Sequence, residues 1–150
     1  MKIIFVCLGN ICRSPMAEFI CKDLLKNKYK NINLKIDSAG TSGWNDGDGV
    51  HHGTASKLKE KKIDFKGFVS KKLTQKIFDE NDMIFVMDNN NYENVLNNFN
   101  DKNKVFKIVD YLTKSNYSEV PNPWYTNDFD ETYNILHEAI DNLLHTLNKK

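Results

Sequence analysis

Short apolar runs alternate along the chain with segments of helical periodicity, and this alternation is the strongest constraint on its fold. Residues 3–7 form a continuous apolar run, as expected for a strand buried on both faces. Residues 83–87 form a second such run, and shorter strands are predicted at 34–37 and 105–109. Strands that are separated by helices favour a parallel sheet. We therefore predict an α/β fold with a four-stranded parallel sheet and helices on both faces.

Helices are predicted between these strands, and the last of them has the clearest pattern. A helix begins near Ser14-Pro15, because proline is favoured in the first turn of a helix. Further helices are predicted at 54–62, 74–79 and 91–99, and a long loop, expected to be functional or mobile, at 110–128. The last helix has apolar residues at spacings of three and four, which places them on one face: Phe129, Tyr133, Leu136, Ile140, Leu143 and Leu147.

The size and charge of the chain limit its class and its partners. With 150 residues it is long enough for one domain with a buried core, which we expect to span residues 1–150. The net charge of +1 gives no reason to expect a nucleic acid or a membrane as partner. No apolar stretch has the length of a signal peptide or a membrane span. We expect a cytoplasmic monomer, and the odd, clustered set of Cys7, Cys12 and Cys21 suits a reducing compartment.

The segment that points to a chemical function is Cys7-Leu8-Gly9-Asn10-Ile11-Cys12-Arg13-Ser14, between the first predicted strand and the first predicted helix. A helix N-terminus presents unpaired N–H groups and partial positive charge, which together bind anions. Gly9 permits a tight backbone, and Asn10 is one of the few residue types that tolerate a positive φ. Ligands of parallel sheets bind beyond the carboxyl ends of the strands, where this segment lies. It is therefore a candidate phosphate-binding loop.

Cys7, Arg13 and Ser14 are the candidate catalytic residues of this loop. A thiol among such N–H donors and beside Arg13 is favoured as the thiolate, which is its nucleophilic form. The planar guanidinium of Arg13 matches two oxygens of a phosphate. Ser14 can donate its hydroxyl to the Cys7 sulfur and so ease the departure of that sulfur. Cys21, by contrast, lies on the apolar stripe of the first helix and is predicted to belong to the core.

The loop, together with its flanks over residues 6–18, resembles the signature of the low-molecular-weight protein tyrosine phosphatases. Residues 37–45, 86–88 and 120–125 are similar to later segments of that family, and the length and element order agree along the whole chain. The resemblance implies that Cys7 attacks phosphotyrosine to form a cysteinyl-phosphate, which water then hydrolyses without a metal or another cofactor. The implied partners are a phosphotyrosine-containing protein or peptide and phosphate.

The resemblance also implies roles for individual residues. The residues that bind the phosphate would be Leu8, Gly9, Asn10, Ile11, Cys12 and Arg13. Asn10 and Ser38 would form a hydrogen-bond network that holds the loop. The walls of the substrate cleft would be Leu8, Trp44, Asn45, Trp124 and Tyr125, and flat aromatic walls suit a phosphotyrosine ring. Cys12 would be a second loop cysteine, and a disulfide between Cys7 and Cys12 could protect the nucleophile from irreversible oxidation.

The sequence departs from the family pattern at Asn122, where the family carries the aspartate that acts as general acid. An amide has no dissociable proton, so it cannot protonate the tyrosyl oxygen as the P–O bond breaks. We therefore expect an intact loop and nucleophile, with a first step slower by roughly 10²–10⁴. Three explanations are open: an engineered change from aspartate to asparagine, a naturally weakened phosphatase, or a nearby carboxylate, Asp128 or Asp130, that takes over the role.

Two other functions stay open on the same residues. A phosphotyrosine-binding module without turnover would keep the loop, and Asn122 supports it, whereas the retained Cys7 and Ser14 count against it. An arsenate reductase on the same fold is the second alternative. Reductases that use a cysteine relay need further cysteines well after the first loop, and this sequence has none beyond Cys21.

Overall fold

Four parallel strands form the central sheet of the computed structural model, which describes residues 1–149. The strands are β1 (Lys2–Cys7), β2 (Lys35–Gly40), β3 (Met83–Val86) and β4 (Val105–Lys107), and their spatial order is β2-β1-β3-β4. Every neighbouring pair runs parallel. β1 therefore lies inside the sheet, which is why its sequence is a continuous apolar run.

Helices cover both faces of this sheet. In the described part of the chain they are α1 (Arg13–Asn27), α2 (His52–Glu60), α3 (Gln75–Glu80), α4 (Asn89–Asn98), α5 (Pro123–Thr126) and α6 (Phe129–Asn148). On one face of β1, Ile3 and Phe5 are buried in a core that includes α1 and α6. On the other face, Ile4 and Val6 are buried against residues of α3 and α4. The predicted α/β fold with its four-stranded parallel sheet and helices on both faces is confirmed.

The predicted apolar stripe of α6 packs against the first of these cores. Its central residues, Leu136, Ile140 and Leu143, are completely buried, while Leu147 is partly buried at the edge. Cys21 of α1 is completely buried in the same core, as predicted. Among residues 1–149, no helix combines the length and the apolar character that are needed to cross a bilayer.

The structure differs from the sequence-based prediction at the end of the sheet. β4 stops at Lys107, and Ile108–Tyr111 forms a 3₁₀ turn instead of the end of a strand. Ile108 and Val109 are nevertheless buried, so the apolar run reports burial and does not distinguish the two backbone conformations. The long predicted loop also contains α5, a helix of only four residues.

The carboxyl end of β1 carries the candidate loop, and the end of β2 holds this loop from one side. The Thr41 N–H donates to the Cys7 carbonyl at 2.8 Å, and the Ser42 N–H donates to the Leu8 carbonyl at 3.0 Å. A Cβ atom on Gly40 would lie 2.8 Å from the Leu8 carbonyl oxygen. This oxygen belongs to the main chain and cannot rotate away, so the close approach of β2 to the loop requires glycine at position 40.

We expect Gly40→Ala to weaken both the fold and the loop, because the added methyl group pushes the main chain of Leu8 away. Overpacking of this kind costs about 1–3 kcal/mol, and the free energy of unfolding in urea should fall by that amount. Gly49→Ala is the matched control, because a Cβ atom there would meet no heavy atom within 4 Å. Equal stabilities of the two variants would contradict the tight contact at Gly40.

Candidate active site

Residues 8–12 connect β1 to the N-terminus of α1. Asn10 adopts the left-handed region at φ 56°, as its residue type permits. Cys12 is the N-cap residue of α1, and its side chain makes no capping hydrogen bond. Within residues 1–149, the main-chain N–H groups of residues 8–14 donate to no other protein group. A run of unpaired N–H groups at the start of a 15-residue helix is an anion-binding arrangement.

Cys7 ends β1, and its sulfur faces a hydroxyl donor. The Cys7 Sγ lies 3.0 Å from the Ser14 Oγ, and the Asn10 Nδ2 donates to the same oxygen at 2.8 Å. Because Ser14 accepts from Asn10, its own proton is free for another acceptor. The carbonyl oxygen of Ala39 is more distant, at 3.4 Å, so the sulfur is the favoured acceptor. Ser14 can therefore donate its proton to the Cys7 sulfur.

A buried hydrogen-bond network holds Asn10 in its unusual conformation. The Asn10 Nδ2 also donates to the Ser38 Oγ at 3.0 Å, and Ser38 donates to Glu18 at 2.5 Å. Lys22 donates to the other oxygen of Glu18 at 2.6 Å, and Ser70 donates to the Asn10 carbonyl at 2.6 Å. The contact between Asn10 and Ser38 was predicted from the sequence. The contributions of Glu18 and Ser70 were missed, because no local pattern marks them.

Arg13 is buried, and two acceptors from distant segments fix its guanidinium. Its Nη1 donates to Asp88 at 2.8 Å and to the Val120 carbonyl at 2.9 Å. The second carboxylate oxygen of Asp88 caps α4 by accepting from the Asn91 N–H at 2.7 Å. The other N–H groups of Arg13 make no hydrogen bond with residues 1–149, which leaves them for two oxygens of an anion. Asp88 positions the Arg13 guanidinium. The sequence assigned it no such role, although residues 86–88 are similar to a segment of the family and Asp88 directly follows a buried strand run.

A cavity of about 300 Å³ opens above the Cys7 sulfur. Its lining consists of Cys7, Leu8, Gly9, Ile11, Cys12, Arg13, Trp44, Asn45, Asn122, Trp124 and Tyr125. Trp44 and Tyr125 are 82% and 80% exposed, and Trp124 is 61% exposed. Exposed aromatic residues at the mouth of a cavity are typical of ligand-binding walls. The structure thus brings together every residue predicted for the cleft, whereas Asn10, Ser14 and Ser38 are buried beside it.

Cys12, the second cysteine of the loop, is buried. Burial and the neighbouring Cys7 raise the pKa of Cys12 to about 12, and Arg13 offsets this only in part. Cys12 is therefore a neutral thiol at pH 7. Its carbonyl oxygen accepts from the Thr54 hydroxyl at 3.1 Å, which ties this side of the loop to α2.

Asn122 is the N-cap residue of α5 and lines the mouth of the cavity. Its Oδ1 accepts from the Trp124 main-chain N–H at 3.1 Å. Because this N–H needs an acceptor, the contact decides which end of the amide is oxygen. The Nδ2 group is then the polar group left for the cleft. It can donate a hydrogen bond but has no acidic proton.

The two carboxylates considered as replacements for the general acid lie outside this cavity. Asp128 and Asp130 line a neighbouring groove between α2 and the start of α6. Asp128 caps α6, and Asp130 forms an ion pair with Lys57. The hydrogen bond from Lys57 lowers the pKa of Asp130, so this carboxylate carries no proton to donate at neutral pH.

His51 joins the loop to one aromatic wall, and the sequence assigns it no role. The main-chain N–H of His51 donates to the Ile11 carbonyl at 2.8 Å, and the Nδ1 of its imidazole accepts from the Gly53 N–H at 3.0 Å. The imidazole meets the ring of Trp124 edge to face, with 5.5 Å between ring centroids. Burial, and secondarily the neighbouring His52, lower the pKa of His51. The lowered pKa favours the neutral form of the His51 imidazole, in which Nδ1 can accept from the Gly53 N–H.

Comparisons with known proteins agree with this geometry. The sequence model for "Low molecular weight phosphotyrosine protein phosphatase" matches residues 2–150. The low molecular weight protein-tyrosine-phosphatase YfkJ of Bacillus subtilis is 35% identical, covering 100% of this chain and 97% of its own, and its crystal structure superposes with a TM-score of 0.95. PtpA of Staphylococcus saprophyticus is 40% identical, covering 99% and 95%. The solution structure of the Campylobacter jejuni low molecular weight protein tyrosine phosphatase is 57% identical, covering 99% and 96%, with a TM-score of 0.78.

We expect Asp88→Ser to weaken the binding of inorganic phosphate by roughly 10- to 10²-fold, because Arg13 loses the charged acceptor that orients it. Serine is a good N-cap residue, so α4 should keep its cap while the shorter side chain no longer reaches Arg13. Titration calorimetry with phosphate measures the change. Asp82→Ser is the control, because Asp82 accepts from the exposed Lys2 N–H and not from the loop. Unchanged phosphate affinity in Asp88→Ser would contradict the positioning role.

Proposed function

Because the chain belongs to the low molecular weight phosphotyrosine protein phosphatase family, we propose that it hydrolyses phosphotyrosine in proteins or peptides through a cysteinyl-phosphate on Cys7. The observation that carries this proposal is the position of the Cys7 sulfur. It lies in one cavity with Arg13, below a run of unpaired N–H groups and between exposed aromatic walls. A phosphate dianion and a flat ring fit such a cleft together.

In the first step, the N–H groups of residues 8–14 and the free N–H groups of Arg13 bind the phosphate oxygens. Negative charge on these oxygens is then matched by donors that are already in place. The Cys7 thiolate attacks phosphorus, and the P–O bond to the tyrosyl oxygen breaks. The cavity walls formed by Trp44, Trp124 and Tyr125 hold the ring of the substrate tyrosine at the mouth of the cavity.

In the second step, water attacks the phosphorus of the cysteinyl-phosphate and Cys7 leaves as a thiolate. Ser14 stabilises this leaving sulfur through the same 3.0 Å contact that favours the thiolate at the start. Water must lose a proton during the attack. A carboxylate at position 122 could accept it, whereas an amide cannot.

Asn122 therefore limits turnover, whereas the groups that bind the phosphate lie in the loop. A tyrosyl oxygen has a pKa of about 10 in its free form, so it leaves poorly as an anion at neutral pH. The Nδ2 of Asn122 can only donate a hydrogen bond to it. Asp128 and Asp130 lie in the neighbouring groove, and we propose that neither carboxylate replaces the missing acid.

We expect Asn122→Asp to raise kcat on a phosphotyrosine peptide by about 10²–10⁴, because a carboxylic acid can protonate the tyrosyl oxygen. Phosphate release measures kcat. Asn127→Asp is the matched control: it introduces the same charge at an exposed left-handed residue of the neighbouring groove. If Asn122→Asp left kcat unchanged, proton transfer would have to come from another group.

The same measurement tests the second candidate function, a phosphotyrosine-binding module without turnover, which Asn122 favours. A module of this kind would release about one dephosphorylated peptide per chain in a burst and almost no phosphate, because the phosphoryl group stays on Cys7 when water cannot be activated. Continued release by the chain with Asn122 would favour the phosphatase.

We further propose that Cys12 resolves an oxidised Cys7. Peroxide converts the Cys7 thiolate to a sulfenic acid, and the Cys12 thiolate then displaces hydroxide to form a disulfide. Because the pKa of Cys12 is raised to about 12, its thiolate fraction increases steadily with pH between pH 6 and about 9.

We therefore expect the fraction of activity that dithiothreitol recovers after peroxide treatment to rise with pH over this interval. In Cys12→Ser this recoverable fraction should be small at every pH, whereas Cys21→Ser is a control because Cys21 lies in the core. Residual activity on p-nitrophenyl phosphate measures both variants. Equal recovery in Cys12→Ser and in the parent chain would exclude the disulfide.

A further inference from the structure

We propose that His51 is a positioning residue for the phosphate-binding loop, and that it fills this role only while its imidazole is neutral. The inference rests on the proposed function to the extent that the loop must bind an anion. It adds a residue that lies outside the lining of the cavity and that makes anion binding sensitive to protons in mildly acidic solution. His51 acts through contacts that join the loop, α2 and the Trp124 wall.

The start of α2 holds two consecutive carbonyl groups of the loop. The main-chain N–H of His51 donates to the Ile11 carbonyl at 2.8 Å. The Thr54 hydroxyl donates to the next carbonyl, that of Cys12, at 3.1 Å. The carbonyl and the N–H of one trans peptide group point in opposite directions, so the N–H groups of Cys12 and Arg13 point away from α2. Both residues line the cavity. The first turn of α2 therefore orients two of the unpaired donors of the anion site.

The imidazole of His51 stabilises that first turn. His51 is the N-cap residue of α2, and its Nδ1 accepts from the Gly53 N–H at 3.0 Å. A neutral imidazole has one nitrogen that accepts and one that donates, whereas a protonated imidazole has only donors. Protonation of His51 therefore removes the cap and places an N–H against the N–H of Gly53. The helix start, together with its hydrogen bonds to the loop, is then held less firmly.

The same ring belongs to an aromatic cluster that reaches the mouth of the cavity. It stacks on Phe129 with 5.3 Å between ring centroids and on His52 with 4.2 Å. It meets the ring of Trp124 edge to face at 5.5 Å. A Cβ atom at Gly53 would collide with the Phe129 ring, so glycine is what allows α6 to approach this closely. A change in the orientation of the His51 ring therefore alters the packing of Trp124.

The surroundings of His51 keep its imidazole neutral at pH 7. Burial, and secondarily the charge of His52, lower the pKa of His51 below its ordinary value of 6.5. A lowered pKa means that the neutral form, and with it the cap, is present at neutral pH. The cap is lost as the pH falls through this lowered pKa.

No carboxylate offsets this effect. Within residues 1–149 the His51 imidazole makes no ion pair, and its one hydrogen bond is the N-cap contact. The groove beside the start of α2 contains three carboxylates, each with another partner. Asp128 caps α6, and Asp130 and Glu60 both pair with Lys57. The other titratable groups on the elements packed against the ring are His52 of α2, Tyr125 of α5, and Cys12 and Arg13 of the loop.

The sign of the pH effect separates positioning from simple charge attraction. A positive charge on His51 would attract a bound anion and tighten binding in acid. Loss of the cap has the opposite effect, because two donors of the anion site are no longer held in place. We expect the loss to dominate, since the charge does not touch the anion and is screened by solvent, whereas the cap connects to the loop through hydrogen bonds.

Titration calorimetry with sulfate between pH 5 and pH 8 tests the inference. Sulfate remains a dianion in this range, whereas phosphate changes its protonation state. All variants carry Cys7→Ser, which removes the titrating thiol from the site. With His51 present, the dissociation constant should rise roughly 3- to 10-fold from pH 7.5 to pH 5, the loss expected for an N-cap. In His51→Asn it should stay constant, because asparagine is a good N-cap and does not titrate.

Two further variants and one spectroscopic signal complete the experiment. His51→Ala has no cap acceptor and should bind sulfate weakly at every pH. His145→Asn is the matched control, because His145 is exposed in the last turn of α6, and it should keep the pH dependence. In Trp44→Phe the remaining tryptophan is Trp124, and a protonated imidazole in contact with it quenches its fluorescence. The fluorescence should change at the same pH as the sulfate affinity, and His51→Asn should abolish this change.

Each outcome bears on one of the two proposals. Parallel pH profiles with His51 and with His51→Asn would overturn the inference and leave the proposed function intact, as would tighter sulfate binding in acid. Binding by His51→Asn at pH 7.5 that is as weak as that by His51→Ala would contradict the capping role. A fluorescence change that persists in His51→Asn would contradict the link to Trp124. Absence of sulfate binding at every pH, with Cys7 present as well as with Cys7→Ser, would instead remove the anion site on which the proposed function depends.

Discussion

Anion binding by unpaired main-chain N–H groups is the interaction on which the rest of the site depends. In residues 8–14 these groups have no hydrogen-bond partner among residues 1–149, and the partial positive charge of the α1 N-terminus adds to them. In the proposed mechanism, these donors and the guanidinium of Arg13 bind the phosphate oxygens beside the Cys7 sulfur. One segment of the chain therefore carries both the proposed nucleophile and the proposed anion site.

Leaving so many polar main-chain groups unpaired requires that the loop be held by other contacts. The network through Asn10, Ser38 and Glu18 fixes the left-handed residue, and the contact of Gly40 with Leu8 brings β2 against the loop. Arg13 donates to Asp88, which follows β3, and to the Val120 carbonyl, which precedes α5. A loop that is fixed in this way does not need to rearrange when charge develops on the substrate, which is the physical basis of electrostatic preorganisation.

In the proposed mechanism, the loop and the mouth of the cavity have separate roles. The loop contains the sulfur that attacks and the N–H groups that bind the phosphate. Asn122 and the aromatic walls at the mouth surround the part of the substrate that departs. An amide at position 122 has no acidic proton for the departing oxygen, so it alters only the second of these roles.

Much of this protein could be predicted from local sequence patterns. The strands, the helices and the loop from Cys7 to Ser14 were predictable because burial, helix starts and anion binding depend on residues that are close together in the chain. The significance of Asn122 came only from the family resemblance, since an asparagine beside a proline is also an ordinary turn. The 3₁₀ turn Ile108–Tyr111 was not predictable, because a buried turn and a buried strand share one pattern.

The tertiary structure alone decided how the loop is held and what the cleft can donate. Asp88 is 75 residues from Arg13, and Ser70 is 60 residues from Asn10. Contacts at such separations depend on strand order and helix packing, which no short window of sequence records. The sequence by itself predicted the nucleophile and the anion site, because these predictions depend on residue type and local backbone, whereas Asn122 was singled out only through the family resemblance. Their mutual orientation, including the Asn122 amide turned by the Trp124 N–H, follows only from the folded chain.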